Sequence, residues 1–277
     1  NSEPRADTEN GRREPAPKLR GLAAPRLWRR RIVNLFNATA STQRMLIVLT
    51  LGMATAYFAS LVFLMQIFPP PAPNLGPEQV AEIYAQSNLR FRIGVALAII
   101  SGGFYLPWSI VIAVQMDRIE KRTSIWTMVQ ALTSAAGTWI FALPPLLWGA
   151  AAFNATRSPE ITAMMHELAF LTFYCAASFF PFQLIAVAVV SLSRNNIDPG
   201  TAFPRWLGWL TLWTAVVASE GFIGVMFNSG PFSWNGLFVF YLPVLFFTIW
   251  MLSMTAMLFR AIGLQERQAT SQIRSIP

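Results

Sequence analysis

Six long apolar stretches decide what this chain can fold into: Met45 to Phe68, Ile93 to Gln115, Ile125 to Ala150, Leu168 to Leu192, Trp206 to Phe227 and Gly236 to Phe259. A helix rises about 1.5 Å per residue and the hydrocarbon core of a bilayer is about 30 Å thick, so about 20 apolar residues suffice to cross it. Every stretch meets that length. With 54% hydrophobic and 12% charged residues, the chain lies far from soluble domains, in which about 25% of residues are charged. The stretches do not alternate apolar and polar with period two, which speaks against a transmembrane barrel. The expected class is an all-α integral membrane protein: a six-transmembrane-helix bundle of three helical hairpins within residues 45–260, a basic arm over 1–44 and a tail over 261–277.

The basic residues orient the bundle. If the N-terminus is cytoplasmic, all of the 21 Lys and Arg except Arg90, Arg92 and Arg157 fall on the cytoplasmic side. That asymmetry satisfies the positive-inside rule and puts both termini in the cytoplasm. The expected location is the bacterial inner (plasma) membrane. A net charge of +8 raises the question of a nucleic-acid partner. The charge is spread over loops and one arm, however, so anionic membrane lipids are the expected partner and nucleic acid is not.

The arm is rich in Pro, Arg and Ala and contains Glu3, Asp7, Glu9 and Glu14. Transit peptides are poor in acidic residues, so it reads as a retained extension. Within it, residues 27–36 read as an interfacial segment, with Trp28 in the acyl boundary and Arg29, Arg30 and Arg31 among the phosphates. The rest of the arm invites a partner protein to hold it.

Three spans share two aromatics close before a proline: Phe104-Tyr105-Leu106-Pro107, Phe179-Phe180-Pro181 and Phe240-Tyr241-Leu242-Pro243. Proline has no N–H and its ring pushes away the carbonyl four residues earlier. Gly103, Ala177 and Val239 should therefore offer unmatched carbonyls, as should Ile140 and Phe141 ahead of Pro144-Pro145. Outside the spans, Gly76-Pro77-Glu78 announces a short helix to about Ala85, with proline in its first turn and an acid at the positive end of its dipole. Ser158-Pro159-Glu160 does the same ahead of the fourth span and should carry His166 and Glu167 on a helix that starts outside the bilayer.

Ionisable residues at membrane depth are the candidates for function, because a charge at the helix centre costs at least about 2.5 kcal/mol on insertion scales. Glu220 lies deep in the fifth span, within a sector of about 60° that it shares with Trp206, Trp209, Trp213 and Phe227 at 100° per residue. It is expected either to serve as a ligand or proton site with Trp213 beside it, or to hydrogen-bond Gln183 or a kink carbonyl. Arg90, Arg92, His166 and Glu167 form a second group at one depth. They either assemble, with Glu167 pairing an arginine, or snorkel separately to the interface.

The catalytic inventory is short. One histidine excludes the multi-histidine centres of membrane oxygenases within this chain, and the only lysines, Lys18 and Lys121, lie outside the spans and exclude a retinal Schiff base. A single cysteine, Cys175, excludes an intrachain disulfide or CxxC pair. Neither a phosphate-binding loop nor a serine elbow is present. Cofactors are therefore unknown, with none encoded by a motif and no catalytic or metal-ligating residues assigned. The expected function is a non-catalytic integral membrane subunit or accessory protein of a larger complex, with other membrane-protein subunits as partners. The alternatives are a carrier or binding protein for a small hydrophobic or proton-coupled solute that uses Glu220, and a membrane enzyme on a lipid-like substrate.

Overall fold

The computed structural model describes residues 38–120, 125–154, 156–176, 178–198 and 200–274, all in the second of two units into which the chain divides between Asn37 and Ala38. The expected interfacial segment with Trp28, Arg29, Arg30 and Arg31 lies outside the described residues, as does the Ala177 carbonyl. Among the described residues the regular structure is helical, without strands. Six helices are long and apolar enough to cross a membrane: α1 (Ala40–Leu64), α3 (Asn88–Glu120), α4 (Ile125–Phe153), α5 (Pro159–Leu192), α6 (Arg205–Met226) and α7 (Leu237–Gln268). The seventh, α2 (Pro77–Ala85), is the short loop helix that the proline and acid predict. The chain is a multi-pass integral membrane protein.

Most helices outrun their apolar stretches. α3 begins at Asn88 and not at Ile93, because its two arginines find local partners: Arg90 donates to Gln66 Oε1 at 2.6 Å and Arg92 lies over the Phe153 ring at 5.6 Å. α1, by contrast, stops at Leu64, short of the expected Phe68. Gln66 is left-handed there (φ 56°), and the Met65 and Ile67 N–H groups donate back to the carbonyls of Ser60 and Leu61 at 2.8 and 3.1 Å, which closes the helix end.

Consecutive spanning helices pack on one another and α7 returns to α1. Within the most apolar stretch of each, 56% of α3 and 53% of α5 is buried but only 28% of α1, α6 and α7, so α3 and α5 form the middle of the bundle. Rings fill the space among the helices. Trp108, Trp250, Tyr57, Tyr105 and Phe104 are each under 2% exposed, linked by edge-on and tilted contacts such as Trp108–Trp250 at 5.2 Å and Phe104–Phe141 at 4.8 Å.

One end of the bundle is capped by α2. There Asn88 donates to the Ala152 carbonyl (2.9 Å), and Trp234, from the α6–α7 turn, donates to the Pro71 carbonyl (2.8 Å). At the opposite, basic end, Gln115 of α3 bonds Gln43 of α1 (2.7 Å) and Gln265 of α7 (2.8 Å), while Arg44 and Glu266 form an ion pair at 2.5 Å. Buried amides thus tie three helices where the apolar stretches run out.

The proline of each aromatic–proline pattern follows a distorted turn. A 3-10 turn, Gly102–Phe104, precedes Pro107; a π turn, Leu171–Cys175, and the break after it precede Pro181; a π turn, Leu237–Tyr241, precedes Pro243. A proline that removes one backbone bond leaves the preceding turn free to tighten or widen. The released Phe141 carbonyl has a specific neighbour in Gly102: a Cβ there would come within 2.9 Å of that oxygen. Only glycine lets the two backbones approach this closely, and its Cα–H faces the freed carbonyl.

Candidate functional site

Glu220 stands where α6 changes its winding. The helix is regular from Arg205 to Ser219 and becomes 3-10 from Glu220 to Met226. Ser219 returns its hydroxyl to the Ala215 carbonyl (2.7 Å), and Gly221 and Gly224 are poor helix formers, so the last turns yield readily to packing. Gly224 is where α6 touches its neighbours: a Cβ there would meet Cys175 Sγ at 2.9 Å and Val239 at 3.1 Å. Cys175 ends the π turn of α5 and Val239 lies in that of α7. Three irregular turns therefore meet at Gly224, four residues beyond Glu220.

The carboxyl itself is unmatched. Its Oε2 is closed off from the surface and has no hydrogen-bond partner. Gln183, the partner expected from sequence, is engaged elsewhere. It donates to the Tyr105 hydroxyl and accepts from Ser134 Oγ at 2.6 Å. Gln130 extends this chain, donating to Ser134 Oγ (3.0 Å) and to the Ser109 carbonyl (3.2 Å). A continuous polar thread thereby crosses α3, α4 and α5 inside the bundle. Trp213 is 61% exposed and Trp206 and Trp209 are exposed with it, so the aromatic stripe predicted on α6 faces away from the bundle, with Glu220 half-buried at its end.

The second group does not assemble. His166 is 1% exposed, its Nδ1 2.8 Å from the Tyr84 hydroxyl, and its ring lies 4.7 Å from Phe170 and 6.4 Å from Trp234. Glu167, one position on, points to the exposed side of α5. Neither Arg90 nor Arg92 pairs with it, since both take the local partners described above. His166 acts here as a pin that holds α2 against α5. Burial pushes the Tyr84 phenol above its ordinary range, so this partner stays protonated and able to donate. The other histidine nitrogen, Nε2, and the Nε1 of Trp148, whose ring is 5.2 Å from the same Phe170, are both buried without partners.

Two features escape a reading of the sequence. The amide pairs at the basic end and the thread through Gln183 join residues far apart in the chain. Their only sequence signal is a glutamine inside an apolar stretch. A cavity of about 230 Å³ at the basic end is lined by Gln115, Arg118, Asn196, Asp198, Thr201 and Gln268. Among the described residues no group of three or more His, Cys, Asp or Glu side chains is placed to hold a metal ion. Comparison with protein-family models, curated proteins and solved structures finds no match to this chain.

Proposed function

We propose that this chain is a non-catalytic integral membrane subunit or accessory protein of a larger membrane complex. The observation that carries the reading is the closed interior. The space between the helices is occupied by Trp, Tyr and Phe rings, and the buried Gln43, Gln115 and Gln183 are bonded to other groups of the bundle. A solute path past Glu220 would have to be opened through that packing, whereas a scaffold works through its outer surface and needs no path. We take the membrane to be the bacterial inner membrane, with three hairpins and both termini cytoplasmic as the excess of basic residues on that side supports, so that the arm meets partners and anionic lipid there.

Extraction of native membranes in mild detergent tests this. The chain should migrate with partner proteins at fixed stoichiometry, and deletion of residues 1–30 should release them while the remainder stays folded. A solitary, monodisperse protein with a dispensable arm would refute the assignment.

A further inference from the structure

We infer that the row Trp209, Trp213, Val216 and Glu220 on α6 is the seam against which a partner's transmembrane helix packs, and that this helix carries a basic side chain at the depth of Glu220. The inference rests on the subunit reading and names the chemistry of the partner. At about 100° per residue the four positions fall on one narrow face. Three of them stand open, at 57%, 61% and 57% exposure. Apolar exposure alone is what lipid requires of any spanning helix. The carboxyl is what distinguishes this face from the others.

Glu220 lies about 22 Å along α6 from Arg205, at about 1.5 Å per residue, and so within the apolar length of the span. Residues of this kind inside a membrane are kept where something matches them. Within this chain the candidate partners are spoken for. Gln183 is bound to Tyr105 and Ser134, Ser219 is bonded to its own helix, and Cys175 is packed against Gly224. The described arginines have no hydrogen bond or ion pair to it. With Oε2 shut in and unpartnered, the half-buried carboxyl at the end of the open aromatic row meets a cation arriving from outside the chain through its other oxygen. An arginine, or a lysine stem lying over Trp213, fits both parts of the face, because the ring attracts the cation and the carboxyl accepts its hydrogen bonds.

Site-specific photo-crosslinking in native membranes tests the seam, with benzoylphenylalanine placed in the full chain at Trp213 and, separately, at the exposed Val48 of α1 and Leu132 of α4. From Trp213 the adduct should map to one protein, within a transmembrane helix and within a turn of an arginine or lysine. Glu220→Lys should lower its yield about tenfold, and exchange of the partner's basic residue for glutamate should restore it. Glu220→Gln, which keeps size and removes charge, should lower the yield less but measurably, at unchanged levels of folded protein. Adducts from Val48 or Leu132 alone, an adduct with lipid alone at Trp213, or a yield indifferent to both Glu220 variants would overturn the seam. All three outcomes leave the subunit reading standing, because that reading falls only if the chain migrates alone in mild detergent.

Discussion

At the scale of single residues, the molecule separates polar groups that are matched from those that are not. Tyr84 and His166 are a matched pair at the capped end, 2.8 Å apart. Replacing Tyr84 by Phe leaves the histidine Nδ1 buried with no partner and should cost about 1–3 kcal/mol of stability, read from thermal unfolding in detergent at neutral pH. The pH dependence has a definite sign. Burial raises the Tyr84 phenol above its ordinary value of 10.0, so above pH 10 the unfolded chain loses this proton while the folded one keeps it. Tyr84's contribution is whole below pH 10 and falls as pH rises beyond it. The parent protein should therefore lose stability above pH 10 more steeply than Tyr84→Phe; equal slopes would place this hydroxyl in contact with water. The matched residues were also the hardest to find in the sequence. Gln115 and Gln265 look alike as lone polar residues in or beside apolar stretches, and that they bond each other is a property of α3 and α7 meeting, which no local spacing encodes. Glu220 was visible because its cost is local.

Elements were legible where their cause is local and obscure where it is shared. The six spans follow from apolar length, and α2 from Gly76-Pro77-Glu78, where Gly76 donates its N–H to the Gln79 side chain at 3.0 Å. Prolines marked where distortion would occur, but not its form. Whether the turn ahead of Pro107 tightens to 3-10 and that ahead of Pro243 widens to π is decided by what packs there. Gly102 shows the dependence. Its substitution by Ala would place a Cβ 2.9 Å from the Phe141 oxygen, a backbone atom held by its own helix and unable to turn aside. Gly102→Ala should thus destabilise the bundle by about 1–3 kcal/mol through separation of α3 and α4. The same change at Gly52, where nothing lies within 4 Å, should be harmless or slightly stabilising through helix propensity. Unfolding of the two variants side by side checks the contrast, and equal losses would locate the effect of Gly102 in propensity and not in the close approach.

For the whole molecule, the two ends differ in chemistry and this difference should fix its direction in the membrane. The capped end is closed by neutral contacts among Tyr84, His166, Asn88 and Trp234, with Arg90, Arg92 and Arg157 each engaged locally. The basic end carries Arg118, Arg194, Arg205, Arg260 and Arg267, and Arg118 lines the cavity beside Gln115. Insertion retains the richer cationic side on the cytoplasmic face, where anionic lipid adds about 1 kcal/mol per juxtamembrane Lys or Arg. The buried Cys175 is the chain's one cysteine, so Cys175→Ala leaves a background in which a single introduced thiol reports its own side. In intact cells a membrane-impermeant maleimide should label Ser229→Cys, in the exposed α6–α7 turn, and should reach Gln268→Cys, at the exposed basic end, only after the membrane is opened. The reverse pattern would invert the bundle. It would also turn the basic cavity with Gln115 and Arg118 to the outer face, where anionic lipid is scarcer and its cationic groups would gain less.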